Sequence, residues 1–219
     1  KAQNWDPEKL VSLYKRAGAQ YFFAMANHHD NLDMWNSKYQ EWNTTNVGPK
    51  KDIVAGWSEA AKKFELPFGL SVHASHTWTW LETAQRSDKT GPFAGVAYDG
   101  KLTKEDGKGT WWEGMDPQEL YAQDHQPSVG FENITSLWKQ WDWGNGASKP
   151  SKEYCEKFYN RTMDLINQYS PDLLYFDDTG LPLYPVSDVG LKIAAHYYNQ
   201  NMANHNGKLN AVLFGKVLS

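Results

Sequence analysis

The sequence predicts an α/β chain with a parallel sheet, a (β/α)-barrel of TIM type that is incomplete, with about half of the barrel in these 219 residues. Three observations carry that expectation. Helical stripes alternate with short apolar runs, the runs are too apolar to leave one face wet, and each main run ends in a polar cluster. A barrel takes its catalytic residues from the carboxyl ends of several strands, so that polarity is what it requires. A doubly wound open sheet shares the rule but calls for a glycine-rich phosphate turn after its first strand, and the sequence has none. Only about four strands can be read, against the eight of a full barrel, which typically occupies about 250 residues. The chain is therefore expected to be one partial catalytic domain, with two strand edges and an apolar inner face that make a stable isolated monomer surprising. A homo-oligomer stays open.

The elements follow in order. Asp6-Pro7 opens a helix that carries Leu10, Leu13, Tyr14 and Ala17 at helical spacing and stops at Gly18. Gln20–Ala26 is a continuous aromatic and aliphatic run, closed by Asn27-His28-His29-Asp30. Pro49–Asp52 leads into a helix with Ile53, Val54, Trp57, Ala60, Ala61 and Phe64 on one face, and Pro67–Ser71 starts a strand ending in Val72-His73-Ala74-Ser75-His76. Residues 77–150 hold no long periodic element, only helical hints near Pro117–Gln123 and Ser136–Trp141, and read as a structured Trp-rich loop rather than a linker. Ser151 begins the strongest helix, with Tyr154, Phe158, Met163 and Ile166 on a stripe. It delivers the chain to Leu173-Leu174-Tyr175-Phe176, a run bounded by Pro171 and by Gly180 and Pro182 and ended by Asp177 and Asp178. A helix over about Ser187–Asn204 and a last strand over Leu209–Phe214 complete the series.

Composition narrows the partners. With 22 Lys+Arg against 26 Asp+Glu and no long basic run, a phosphate backbone has nowhere to bind, so nucleic acid is not expected. No apolar stretch reaches the roughly 18 residues of a membrane span, and Lys1–Trp5 is no signal-peptide core, so no membrane partner is expected and any export signal would lie outside the sequence. The single cysteine, Cys155, reads as a buried thiol. Asn43-Thr44-Thr45, Asn133-Ile134-Thr135 and Asn160-Arg161-Thr162 fit the glycosylation pattern, which often arises by chance. Eleven Trp and 12 Tyr in a chain this hydrophilic point to rings stacked on a ligand, and sugars are the natural candidates.

Ionised carboxylates at the rim of a buried strand are costly to desolvate, so a chain that places two there either uses one or caps a turn with both. Strand alternation puts Leu173, Tyr175 and Asp177 on one face and Leu174, Phe176 and Asp178 on the other, so only Asp177 is expected in the lumen, with Asp178 bonded to the following loop. Neighbours on a strand face opposite ways, which makes His28 and His29 one ligand and one core histidine unless a turn aims both inward.

His28-His29-Asp30, Trp35, Lys38-Tyr39, Gly48-Pro49-Lys50-Lys51-Asp52, Phe68-Gly69 and Asp172-Leu173-Leu174-Tyr175-Phe176-Asp177 together resemble the α-L-fucosidases of glycoside hydrolase family 29, over about Gly18–Trp78 and again Tyr169–Pro182. The resemblance implies that Asp177 is the nucleophile, that His28 and His29 bond fucose hydroxyls and that Tyr175, commonly Trp in the family, lines the pocket. The family often has Lys where this chain has Asn27 and Gly-Phe where it has Asn31-Leu32; its tyrosine on the next strand corresponds to Ser71, whose contact His73, on the same strand face, is expected to take over. The family also uses a histidine from its first barrel strand and a late general acid/base, which are not identifiable here and are expected before Lys1 and after Ser219. The implied activity is an exo-acting retaining hydrolysis of terminal α-L-fucosyl linkages in oligosaccharides or glycoconjugates, without a cofactor or metal, in an extracellular, periplasmic or lysosomal setting. Two alternatives remain: a metal-dependent hydrolase using His28, His29, Asp30 and His73, disfavoured because no His-x-His or His-Glu-x-x-His spacing occurs, and a non-catalytic sugar-binding protein.

Overall fold

Asp6, Asp52 and Ser151 each turn a side-chain oxygen onto a backbone N–H three residues later, at 2.9, 2.7 and 3.1 Å. Satisfying those orphan donors fixes where α1 (Pro7–Arg16), α2 (Ile53–Lys63) and α4 (Lys152–Tyr169) begin. The computed structural model describes residues 2–121, 125–129, 142–179 and 181–216. A one-turn helix α3 (Thr77–Trp80) and a longer α5 (Val189–Asn204) complete the α-helices among the described residues. Four strands, β1 (Phe22–Met25), β2 (Phe68–Val72), β3 (Leu173–Thr179) and β4 (Val212–Lys216), form a parallel sheet in chain order. The fold is α/β with a parallel sheet, as the alternation of stripes and apolar runs predicts.

The register aligns Phe23 with Gly69, Gly69 with Leu173, Ser71 with Tyr175, and Tyr175 with Phe214. Alternation then separates two faces. Ala24, Leu70, Val72, Leu174 and Phe176 join Val11, Val54, Ala61, Phe158, Leu165, Ile193 and Tyr197 in one core under the helices. Full burial of a side chain such as Leu174 or Phe176 stabilises by about 1.5–3 kcal/mol. The opposite face carries Phe23, Met25, Tyr175 and Phe214, with Met25 45% and Phe214 41% exposed. Its aromatic rings close on one another, Tyr175 stacking on Phe214 at 4.8 Å and Phe23 meeting Phe214 edge-on at 5.8 Å. Between Phe176 and Thr179 the pairing of β3 with β4 shifts register, so the irregularity falls at Asp177, where it can re-aim a side chain.

The last strand starts later than expected, at Val212 rather than Leu209. Asn201 explains it: its side chain accepts from Asn210 N at 2.7 Å and donates to Asn210 O at 3.2 Å, which occupies that backbone before it can join the sheet. Within 77–150 the described residues form α3 and short 3-10 turns at Glu82–Gln85, Lys104–Gly107 and Pro117–Glu119, the last matching one of the two helical hints. The other hint, Ser136–Trp141, lies outside the described residues, as does Asn133 of one glycosylation tripeptide. The loop is tied down by Glu82, which is buried and accepts from Ser128 N at 3.1 Å and Ser128 Oγ at 2.6 Å. Asn43 is 1% exposed and donates to Gln40 O at 2.8 Å, so in the folded chain its amide is closed to a glycan. Cys155 is a buried free thiol, as expected. Among the described residues no helix is long and apolar enough to cross a membrane.

Candidate active site

The C-terminal ends of β1, β2, β3 and β4 bring together His28, His29, His73, Tyr175, Asp177 and Lys216. Asp177 sits on the half-exposed face, where alternation puts it with Tyr175. Its Oδ1 accepts from the Tyr175 hydroxyl at 2.6 Å and pairs with Lys216 Nζ. Its Oδ2 lies 3.1 Å from His73 Nδ1, at ion-pair distance. That nitrogen has no well-directed hydrogen bond, so the contact holds by proximity rather than by a straight N–H···O line. Burial pushes the Asp177 carboxyl up, but hydrogen bonds from Lys216 and Tyr175 and the charges of His73 and Lys216 outweigh it and hold the group at about 2. The carboxylate is therefore ionised at neutral pH. Tyr175 responds in the opposite sense, pushed up to about 12 by burial and by its bond to Asp177.

The histidines are gathered by backbone geometry rather than by strand alternation. β1 ends at Met25, so His28 and His29 lie beyond it in a turn, closed by a 3.0 Å bond from Asn31 N to His28 O with Asn31 at φ 66°. The turn lets both rings reach one side: their centroids are 4.2 Å apart, and His28 stacks on His73 at 4.6 Å. His29 is fixed by its Nδ1, 3.1 Å from His73 O, and by the Trp80 ring at 3.8 Å. His73 Nε2 meets the Ser71 hydroxyl. Burial lowers both rings, His29 to about 4 with help from His28, and His73 to about 4 against the opposing pull of Asp177. Both are neutral imidazoles at pH 7, able to donate from one nitrogen and accept at the other.

Asn27 joins the two histidine stretches. Its Oδ1 accepts from His73 N at 3.1 Å and Ala74 N at 3.2 Å, and its Nδ2 donates to Asp33 at 3.1 Å. Asp33, 0% exposed, is gripped by Arg161 from α4, Nε to Oδ2 at 3.0 Å and Nη2 to Oδ1 at 2.5 Å. Arg161 Nη1 also donates to Asn31 Oδ1 at 2.5 Å. A buried strut thus runs from helix to histidines.

Five site candidates read from the sequence, Asp177, His28, His29, His73 and Tyr175, fall in one cluster. Asp30 does not join it: it is exposed and caps Leu32 N at 3.3 Å. The side chain of Asp178 lies outside the described residues. Lys216, Trp80 and the Asn27–Asp33–Arg161 strut are additions. Lys216 alternates with Val212 and Phe214 on the face of Asp177, a signal that extending the last strand by two residues brings out. Arg161 leaves no such signal, because a cation beside a helical stripe reads as solvated.

A family model described as Alpha-L-fucosidase matches residues 1–212. The putative alpha-L-fucosidase of Caenorhabditis elegans is 36% identical over 70 residues, 32% of this chain and 14% of that protein. The tissue alpha-L-fucosidase of Macaca fascicularis is 31% identical over 99 residues, 43% of this chain and 21% of its own. Among solved structures, the alpha-fucosidase of Thermotoga maritima in complex with fucose superposes with a TM-score of 0.52 and 24% identity, covering 91% of this chain and 34% of that one. The same enzyme in complex with a mechanism-based inhibitor gives 0.53 and 23%, over 91% and 34%. At that identity the likeness speaks for the fold. The chain spans about a third of these structures and between 14 and 21% of those two relatives.

Proposed function

Since the chain belongs to the alpha-L-fucosidase family, whose model it matches over residues 1–212, we propose that it carries the nucleophile side of an exo-acting retaining α-L-fucosidase site that hydrolyses terminal α-L-fucosyl linkages. The observation that supports this best is the Asp177 carboxylate, ionised at about 2 and set 3.1 Å from His73 on the same side as the His28–His29 pair. In this reading the four parallel strands are consecutive staves of a (β/α)-barrel, and the chain is a single partial catalytic domain with 77–150 as its loop.

Retaining hydrolysis needs a carboxylate to attack the anomeric carbon and a second group about 5–5.5 Å away to protonate the leaving oxygen. Asp177 takes the first role. As its oxygen forms the glycosyl ester, the carboxylate loses its charge and Lys216, 54% exposed, is released to water rather than left as a buried cation. Neutral His29 and His73 offer the donor and acceptor pairs that sugar hydroxyls need, the His28 ring adds further ring nitrogens beside them, and Tyr175 and Phe214 give an apolar floor for one face of the ring. The acid/base is assigned to no residue of this stretch. The test is Asp177→Gly assayed on an aryl α-L-fucoside, with azide as an external nucleophile. Turnover should fall by a factor on the order of 10³ or more, and azide should restore it as the inverted fucosyl azide. Undiminished turnover would end the assignment; loss without rescue would argue that Asp177 holds the fold or the substrate instead.

A further inference from the structure

We infer that His28, His29 and His73 form a binding site for a single zinc-like divalent ion, and that this site overlaps the sugar pocket. Each imidazole offers one nitrogen, and the three nitrogens lie within 4.8 Å of one another. Tetrahedral zinc with Zn–N bonds of about 2.0–2.1 Å needs ligand nitrogens roughly 3.4 Å apart. The nitrogens therefore have to close by up to about 1.4 Å on binding the ion.

The surroundings resemble those that prepare imidazoles for a metal. A ligating histidine generally gives its other nitrogen to a carbonyl or carboxylate, which fixes ring and tautomer. His29 Nδ1 is hydrogen-bonded at His73 O, 3.1 Å away, while His73 Nδ1 has the Asp177 carboxylate beside it, 3.1 Å away but without a directed bond. The ion would exchange with the Ser71 hydroxyl at His73 Nε2. His28, half-buried, closes the set from the solvent side. Three imidazoles suit zinc and copper far better than magnesium or calcium. A motif search misses the site because two of its ligands are adjacent in sequence and the third lies on the next strand end.

An ion there leaves its fourth position open, but Asp177 stays bound to Tyr175 and Lys216, so the metal acts as an occupant that excludes sugar rather than as a second catalyst. Only this overlap rests on the fucosidase reading. The experiment is calorimetric titration of the full chain with zinc chloride at pH 7, paralleled by cobalt(II) titration in the visible. One ion per chain should bind, with the intense absorption of low-coordinate cobalt. His28→Ala and His29→Ala should each weaken uptake tenfold or more, with circular dichroism reporting that the variants fold. His196→Ala, on α5 beyond the sheet, should leave it unchanged. No saturable uptake, or uptake by both histidine variants as tight as that of the unaltered chain, would overturn the site. L-fucose should raise the apparent zinc dissociation constant in proportion to its concentration; fucose that binds without moving the zinc isotherm would overturn the overlap. Fucose that fails to bind the metal-free chain would count against the fucosidase reading, while the zinc titration still decides the metal site.

Discussion

Replacing Arg161 by methionine tests whether the buried strut holds the site. The wild-type guanidinium, its side chain 3% exposed, donates two bonds to Asp33 and two to Asn31. In Arg161→Met, among the described residues the Asp33 side chain keeps only the 3.1 Å bond from Asn27, while it stays 0% exposed. Breaking a buried pair by removing one partner costs about 3–5 kcal/mol, because a carboxylate is left without its counter-charge. Against a usual total of about 5–15 kcal/mol that is a large share. Urea unfolding followed by far-UV circular dichroism should show a midpoint lowered accordingly. The companion variant Arg161→Met/Asp33→Leu leaves no charge in the core and should recover most of the loss. A single-variant cost below about 1 kcal/mol, or losses that simply add in the double variant, would refute the strut.

The neutral histidines set a pH dependence. His29 and His73 take a proton near 6.5 when unfolded but near 4 when folded, so the unfolded state binds more protons between those values. Stability should therefore be complete above pH 6.5 and fall towards pH 4, by up to about 3 kcal/mol per ring at 1.36 kcal/mol per pKa unit, and less where neighbouring rings share a proton. Urea midpoints at pH 7, 5.5 and 4 read this, and His29→Gln should flatten the slope; a slope unchanged by it would contradict the assignment. Asp177, with an ordinary value of 3.8 and a folded value of about 2, adds stability that is lost only as pH falls through that lower window. Lys216→Met removes a hydrogen bond and a charge that hold Asp177 down, so the acid limb of kcat/KM should move to higher pH; a profile with an unmoved acid limb would remove Lys216 from the site.

Much of this arrangement was legible because local chemistry and global fold agree at those positions. Asp6, Asp52 and Ser151 cap helices where helix starts were expected, and the run Leu173–Phe176 is a strand whose alternation puts Asp177 on the face of Tyr175, to which it is hydrogen-bonded. The sequence is silent where a side chain's partner lies far along the chain. Arg161 and Asp33 are 128 residues apart and each looks solvated by itself. Trp80 could not be separated from the other tryptophans, since only the fold brings its ring onto His29. The histidine pair was ambiguous for a local reason: whether two adjacent rings converge depends on where β1 stops, and boundaries are the weakest part of any reading by pattern.

Gly69 has a bearing on the aromatic face of the sheet that its lack of a side chain conceals. A Cβ at that position would come 2.5 Å from Phe23 Cζ, so the phenyl ring lies flat on bare β2 backbone. From Phe23 the aromatic row continues through Phe214 to Tyr175, whose hydroxyl holds Asp177. A methyl group added beneath the first ring needs that space, so the far end of the Phe23 side chain has to move off the strand. Through its missing side chain, position 69 thus borders one end of the row whose other end is the Tyr175–Asp177 bond, without touching the carboxylate itself.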